Sequence, residues 1–100
     1  MERDVIIIGA GMAGLTSVIY ASRAGLSTLV LESGAVGGQI LPAVRVDNWP
    51  GAYGVSGSEL MKNVAEQARE LGAEIRYEEV LTVEEGGSRR FVVKTDEDEY

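Results

Sequence analysis

The sequence predicts an α/β fold: a short parallel sheet with flanking helices, extended by a small antiparallel hairpin or meander. Three observations carry this. Residues Asp4 to Glu32 run apolar strand, glycine cluster, helix, apolar strand; a second amphipathic helix leads into a third short apolar run; and two strand patterns flank a turn at Glu85, Gly86, Gly87 and Ser88.

The first strand is the run Val5, Ile6, Ile7 and Ile8, and the glycines that follow it are Gly9, Gly11 and Gly14. Each has a separate task in a dinucleotide cradle. Gly9 lets the chain turn sharply as it leaves the strand, Gly11 removes a side chain where a pyrophosphate approaches the backbone, and Gly14 lets the helix lie close to the strand. The helix begins at the phosphate. The unpaired N–H groups near Met12, Ala13 and Gly14 carry the positive end of its macrodipole and bind an anion without a lysine.

The second strand, Leu29, Val30 and Leu31, ends on Glu32, whose carboxylate is placed to accept both hydroxyls of an adenosine ribose. An acid there disfavours a 2′-phosphate, so NADP is not expected at this site. Glycine triplets alone are weak signals, because they occur by chance in glycine-rich chains. Here the strand before, the helix after and the spaced acid are all present, which makes the segment a Rossmann-like dinucleotide site.

With 100 residues the chain is expected to form one domain, residues 1–100, with a marginal core. A net charge of -7 leaves no basic stripe for nucleic acid, which is not expected as a partner. The acidic run Asp96 to Glu99 reads as a solvated turn or frayed end. The chain has no cysteine, which removes disulfides, thiolate metal sites and thiol chemistry from its own repertoire, and no histidine, the usual proton shuttle near neutral pH. No signal-peptide pattern opens it and no apolar stretch reaches bilayer length, so no membrane partner is expected and cytoplasmic is the expected localisation.

After Glu32 comes a long irregular segment rich in glycine, and loops of that length in a compact domain are usually functional. Gly37 and Gly38 permit a second close approach of backbone to ligand, with the Gln39 amide following; taken alone, a plain glycine turn is the favoured reading. Asn48, Trp49, Pro50 and Gly51 read as an ordered loop with one anchored aromatic. Ser56 and Glu59 then have capping-box spacing, and Leu60, Met61, Val64, Ala65, Ala68 and Leu71 recur at helical intervals until Gly72. Ala73 to Tyr77 is a third, parallel strand, and Val80 to Val83 and Phe91 to Thr95 form the hairpin.

The combination DVIIIGAG, MAGL, IYASRAGLSTLVLE, GGQI, DNWPG and SGSELM resembles the amino-terminal part of the FAD-binding domain of the thioredoxin reductase family, over essentially the whole chain. The GGQ and NWPG elements carry more of the resemblance than the glycine triplet. It implies a Rossmann-like FAD-binding fold and a flavoprotein that passes electrons from a nicotinamide nucleotide through FAD to a redox-active disulfide.

By position it implies that Gly9, Gly11, Met12, Ala13 and Gly14 hold the pyrophosphate and Glu32 the adenosine ribose. Gly38 and Gln39 would lie along the ribityl-pyrophosphate portion, Asn48 near the flavin, and Val80 by the adenine through its backbone. Members usually carry proline where Met12 stands, a mild change at a helix start. Family chains also continue into a further strand, a nicotinamide domain bearing paired cysteines, and a return segment that completes the flavin site. Related flavin-dependent ferredoxin reductases share the opening. Two other readings stay open: a stand-alone or engineered dinucleotide-binding module without redox turnover, and an NAD-binding dehydrogenase fragment, which the GGQ and NWPG loops disfavour. Because the family sheet continues, the chain is expected to expose a strand edge and to self-associate as a homodimer.

Overall fold

The computed structural model describes residues 2–100. Strand β1 (Val5–Ile8) leads through helix α1 (Met12–Arg23) to β2 (Thr28–Leu31), and after a long loop helix α2 (Gly57–Glu70) leads to β3 (Glu74–Arg76). These strands form a parallel sheet in the order β1-β2-β3, with Ile7 opposite Val30 and Val30 opposite Ile75. A separate antiparallel pair, β4 (Val80–Glu85) and β5 (Phe91–Thr95), follows.

β2 is buried along its whole length because it is the central strand and both of its faces are covered. Its side chains alternate between two cores, as strand geometry requires. Val30 joins Ala10, Leu15, Val18, Leu60, Met61, Val64, Ala65 and Ala68 beneath the two helices. Leu29 and Leu31 point the other way and pack with Val93 and Tyr100 of the hairpin side. β1 follows the same alternation, Ile7 toward the helices and Ile6 toward the hairpin. The result is three layers: helices, parallel sheet, hairpin.

Helix α2 starts as its sequence dictates. Ser56 Oγ accepts the N–H of Glu59 at 3.1 Å, so one amide that the first turn leaves without a partner is capped. Gly57 meets a stricter demand, since a Cβ there would stand 1.8 Å from the Ile40 carbonyl oxygen. That contact, with Gly57 N–H donating to Ala43 O at 2.8 Å, ties the loop to the helix start. Trp49 is half-buried against the helical core, the anchored aromatic that the loop sequence suggests.

Three boundaries differ from the sequence expectation. β3 is Glu74–Arg76, shorter at both ends than 73–77. β4 runs to Glu85, and the hairpin turn centres on Ser88 and Arg89, both at positive φ, with Arg90 N–H bonded to Gly87 O at 2.9 Å. Gly86 lies just beyond the ladder, its N–H donating to Arg90 O at 2.8 Å, so the glycine pair lies beside the turn's centre. The acidic run is an ordered turn: Thr95 Oγ1 accepts the N–H groups of Glu97 and Asp98, and the chain folds back so that Tyr100 is buried.

Candidate dinucleotide site

The site forms where β1, β2 and the segment entering β4 converge. Gly9 leaves β1 at φ 101°, and its N–H donates to Leu31 O at 2.8 Å, which holds the turn against the end of β2. A side chain would be strained at that φ. Gly14 is constrained by space: a Cβ would stand 2.0 Å from the Gly9 carbonyl oxygen and 3.3 Å from Ile7 Cγ2. Gly11 differs from both. It is the N-cap of α1 in extended conformation, and a Cβ there meets nothing within 4 Å.

Open space at Gly11 therefore faces the start of α1. The helix has no side-chain cap and no acid in its first turn, so the N–H groups of Met12, Ala13 and Gly14 keep their positive potential for an anion. Leu15 N–H is the first to bond back, to Gly11 O at 3.0 Å.

Glu32, the residue after β2, is fixed by two backbone amides. Its Oε1 accepts the N–H of Ala10 at 2.7 Å and its Oε2 that of Gly34 at 2.7 Å. The carboxylate thus ties the glycine turn to the loop that follows β2. Each oxygen retains a lone pair for a hydroxyl. Gly37 N–H donates to Ala10 O at 2.7 Å, and a Cβ on Gly38 would lie 3.7 Å from Gly11 Cα. Two segments separated in sequence by the whole of α1 and β2 are thereby brought together.

A pocket of about 230 Å³ is lined by Ile8, Gly9, Leu31, Glu32 and Ser33 from the sheet and by Glu78, Glu79 and Val80 from the approach to β4. It unites Gly9, Glu32 and Val80. Gly38 adjoins the Gly11 end, whereas Gln39 and Asn48 are exposed side chains on the loop and do not line this pocket. Met12 is half-buried and Ala13 exposed, so both meet a ligand through their amides if at all. The sequence reading missed Glu78 and Glu79. An acid between two short strands reads as a surface residue, and no pattern marks Glu78 as buried.

A second, larger hollow of about 600 Å³ lies between β1 and the hairpin, lined by Ile6, Ile8, Val83, Phe91 and Val93, with Arg3, Asp4, Arg89 and Arg90 among the charged residues around it. β1 pairs only with β2 among the described residues, so this groove runs along a free strand edge.

The fold is an α/β fold of the Rossmann kind, with the candidate site at the ends of β1 and β2. Residues 3–100 match the pyridine nucleotide-disulphide oxidoreductase family, and the chain belongs to it. It is 45% identical over 97 residues to a thioredoxin reductase of Bacillus subtilis, covering 97% of this chain and 30% of that one. With a thioredoxin reductase of Treponema pallidum the identity is 53% over 83 residues, 82% of this chain and 27% of the other. The structure of Lactococcus lactis thioredoxin reductase superposes with a TM-score of 0.92 at 37% identity, covering 99% of this chain and 32% of that chain. A ferredoxin-flavin thioredoxin reductase of Clostridium acetobutylicum gives a TM-score of 0.88 at 31% identity, over 100% of this chain and 35% of that one.

The chain thus spans about a third of the length of the relatives it matches. It has the fold of the amino-terminal part of a thioredoxin reductase FAD-binding domain, and family membership implies a flavin cofactor. Among the described residues no helix is long and apolar enough to cross a membrane.

Proposed function

We propose that residues 1–100 form a single dinucleotide-binding unit, the FAD-binding portion of a thioredoxin-reductase-like oxidoreductase that uses a nicotinamide nucleotide. The observation that carries this is the juxtaposition of the Glu32 carboxylate with Gly9 and Val80 in one pocket, beside the open space at Gly11. In this reading Gly9, Gly11, Met12, Ala13 and Gly14 hold the pyrophosphate by backbone and helix potential. Glu32 accepts the ribose hydroxyls, Val80 adjoins the adenine, Gly38 and Gln39 flank the middle of the cofactor, and Asn48 lies toward the flavin. The residues fit the ADP part of FAD: at Gly11, where the backbone is not held at positive φ, an added Cβ would enter open space beside the start of α1, the place a phosphate needs, and the carboxylate is already oriented by two amides.

When bound, FAD supplies electron transfer between a nicotinamide and a disulfide. This chain's own residues bind and orient it. Since the chain has no cysteine, a dithiol partner must be supplied from outside its sequence. In this reading the protein acts in the cytoplasm, and the edge of β1, which pairs only with β2 among the described residues, supports self-association as a homodimer.

Titration calorimetry with FAD, ADP and NADP, together with the visible spectrum of the purified chain, tests the assignment. FAD and ADP are expected to bind more tightly than NADP. Equal or stronger NADP binding would overturn the role given to Glu32.

A further inference from the structure

We infer that Glu78 is a positioning residue for the adenosine end of the nucleotide, holding the segment Glu78–Val80 that forms the second wall of the pocket; this rests on the proposed reading of that pocket. One wall belongs to the parallel sheet and the other to the hairpin's entry, so the width of the pocket is the distance between two layers. Whatever joins those layers near residue 78 sets that width.

The join is polar and directional. The Glu78 side chain is 8% exposed, and its carboxylate accepts from Thr95 Oγ1 at 2.6 Å and from the Tyr100 hydroxyl, which stands 2.8 and 3.0 Å from its two oxygens. The Tyr100 hydroxyl in turn accepts from Arg76 Nη1 at 2.8 Å. Arg76 Nε donates to Glu74 at 2.5 Å, and Glu74 accepts from Arg3 at 2.6 Å. A single chain of hydrogen bonds thus runs from the approach to β1, across β3, to the start of β4, the end of β5 and Tyr100.

Among the described residues no cation touches Glu78 within hydrogen-bond distance; Arg76 Nη1 stands 3.9 Å away. Two hydroxyls hold the buried carboxylate instead. Apolar side chains would fasten hairpin to sheet at less desolvation cost, as Leu29, Leu31, Val93 and Tyr100 already do around it. What the carboxylate adds is direction, because its bonds fix the side chain of residue 78 relative to the end of β5 and to Tyr100 beyond it. Val80, two residues on, packs its side chain into that apolar cluster and lines the pocket. A bulge between Val80 and Thr82 sets its register apart from the rest of the ladder.

The test compares ADP with GDP in calorimetric titrations of the wild type, Glu78→Gln and Tyr100→Phe, with circular dichroism confirming the fold of each. The wild type is expected to prefer ADP. In Glu78→Gln, ADP affinity is expected to fall about tenfold, the scale of a lost hydrogen bond to a charged group, with GDP little changed, so the selectivity narrows. Tyr100→Phe removes only the hydroxyl and is expected to shift the same ratio in the same direction, which serves if Glu78→Gln does not fold. An equal loss for both nucleotides, or unchanged ADP affinity in a folded variant, would overturn the inference. A wild type that binds ADP without preference over GDP would overturn it as well, while a wild type that binds no nucleotide would overturn the reading of the pocket itself.

Discussion

Glu32 Oε1 accepts the backbone N–H of Ala10 at 2.7 Å, so the acid that ends the second strand is bonded to the glycine turn that ends the first. With its other oxygen on Gly34 N–H, the side chain has a structural role before any ligand arrives. Glu32→Ala should therefore cost stability as well as selectivity. Two amides that lose a charged acceptor at a half-buried site correspond to roughly 2 kcal/mol, and the NADP-to-ADP affinity ratio should rise in the same variant. Urea denaturation and titration with both nucleotides check the two effects separately. Loss of stability with an unchanged ratio would assign Glu32 to the scaffold alone.

Three glycines, two at the first turn and one at the start of α2, make separable predictions. Gly14→Ala puts a methyl group 2.0 Å from a backbone oxygen that cannot move independently, and should destabilise by about 3 kcal/mol, the upper end of ordinary overpacking. Gly57→Ala, with 1.8 Å to the Ile40 carbonyl oxygen, should be at least as severe. Gly11→Val should keep the fold, losing about 1 kcal/mol at most because valine is a poor N-cap, and abolish nucleotide binding by filling the phosphate's space. Thermal melts with and without ADP distinguish them: no ligand-induced shift is expected for Gly11→Val, and a lower melting temperature for the other two.

These glycines also show how far the sequence could be read. The turn was legible because Gly9 at positive φ, Gly14 against the Gly9 carbonyl and the Glu32 carboxylate on two amides each meet a local backbone demand, whereas the fold itself makes no such demand at Gly11. Helix α2 was legible from its cap and period. By contrast Glu78, Thr95, Arg76 and Tyr100 assemble through contacts 17 to 24 residues apart, and no local pattern records such a meeting. The hairpin turn was misplaced toward its glycines because Gly-Gly is the stronger local signal, whereas pairing of Gly86 with Arg90 pushed the reversal onto Ser88 and Arg89.

That displacement leaves a correctable strain. Ser88 at φ 50° and Arg89 at φ 63° occupy the left-handed region at both central positions of the turn, where Asn-Gly is the favoured pair. Both side chains are exposed. Ser88→Asn with Arg89→Gly is expected to stabilise the chain by about 1 kcal/mol, read as a shift of the urea midpoint at constant slope. A lower midpoint would show that Arg89 makes a contact worth more than the strain.

Acid should loosen the join between β1 and β3. The hydrogen bond from Arg3 holds Glu74 below its usual carboxylate range, against some desolvation, with Arg76 adding to the effect. A folded-state pKa below the unfolded one contributes stability that is present above the ordinary carboxylate range and is lost as pH falls through the folded value. The Glu74 side chain is 36% exposed, so the effect is modest. Glu74→Gln should be less stable than the wild type at pH 6, with the gap closing below pH 4 or so as the wild-type carboxylate is protonated. A gap that persists unchanged at pH 3 would mean that the carboxyl's charge contributes nothing. Burial moves Tyr100 the other way, its phenol held above the usual tyrosine range, and the bond to Glu78 adds to this while Arg76 opposes it. Its contribution is present below the ordinary tyrosine range and is lost as pH rises through the raised folded value. Tyr100→Phe should therefore flatten the alkaline limb of the stability profile.

Self-association should follow from the edge of β1. Ile8 is 55% exposed although it belongs to a strand of the central layer, and Val83 and Phe91 are 51% and 63% exposed across the groove from it. An unpaired strand edge beside apolar side chains is a surface that other chains pair with. Covering even a few hundred Å² of it at about 25 cal/mol/Å² yields several kcal/mol. Two features oppose this. The groove carries Arg3, Asp4, Arg89 and Arg90 around it, with Arg90 engaged by Glu2, and the net charge of -7 makes copies repel. Exposed charges contribute within about 1 kcal/mol per pair and are screened at moderate salt, so the apolar term prevails. Because association also costs several kcal/mol of rotational and translational freedom, the dimer should be concentration-dependent rather than permanent, and more populated at high salt than at low. Light scattering coupled to size exclusion across micromolar to millimolar concentrations measures this, and Ile8→Lys, which puts a charge on the exposed edge, should shift the equilibrium toward monomer. A wild type that stays monomeric throughout would show that the charged rim of the groove protects the strand edge by itself.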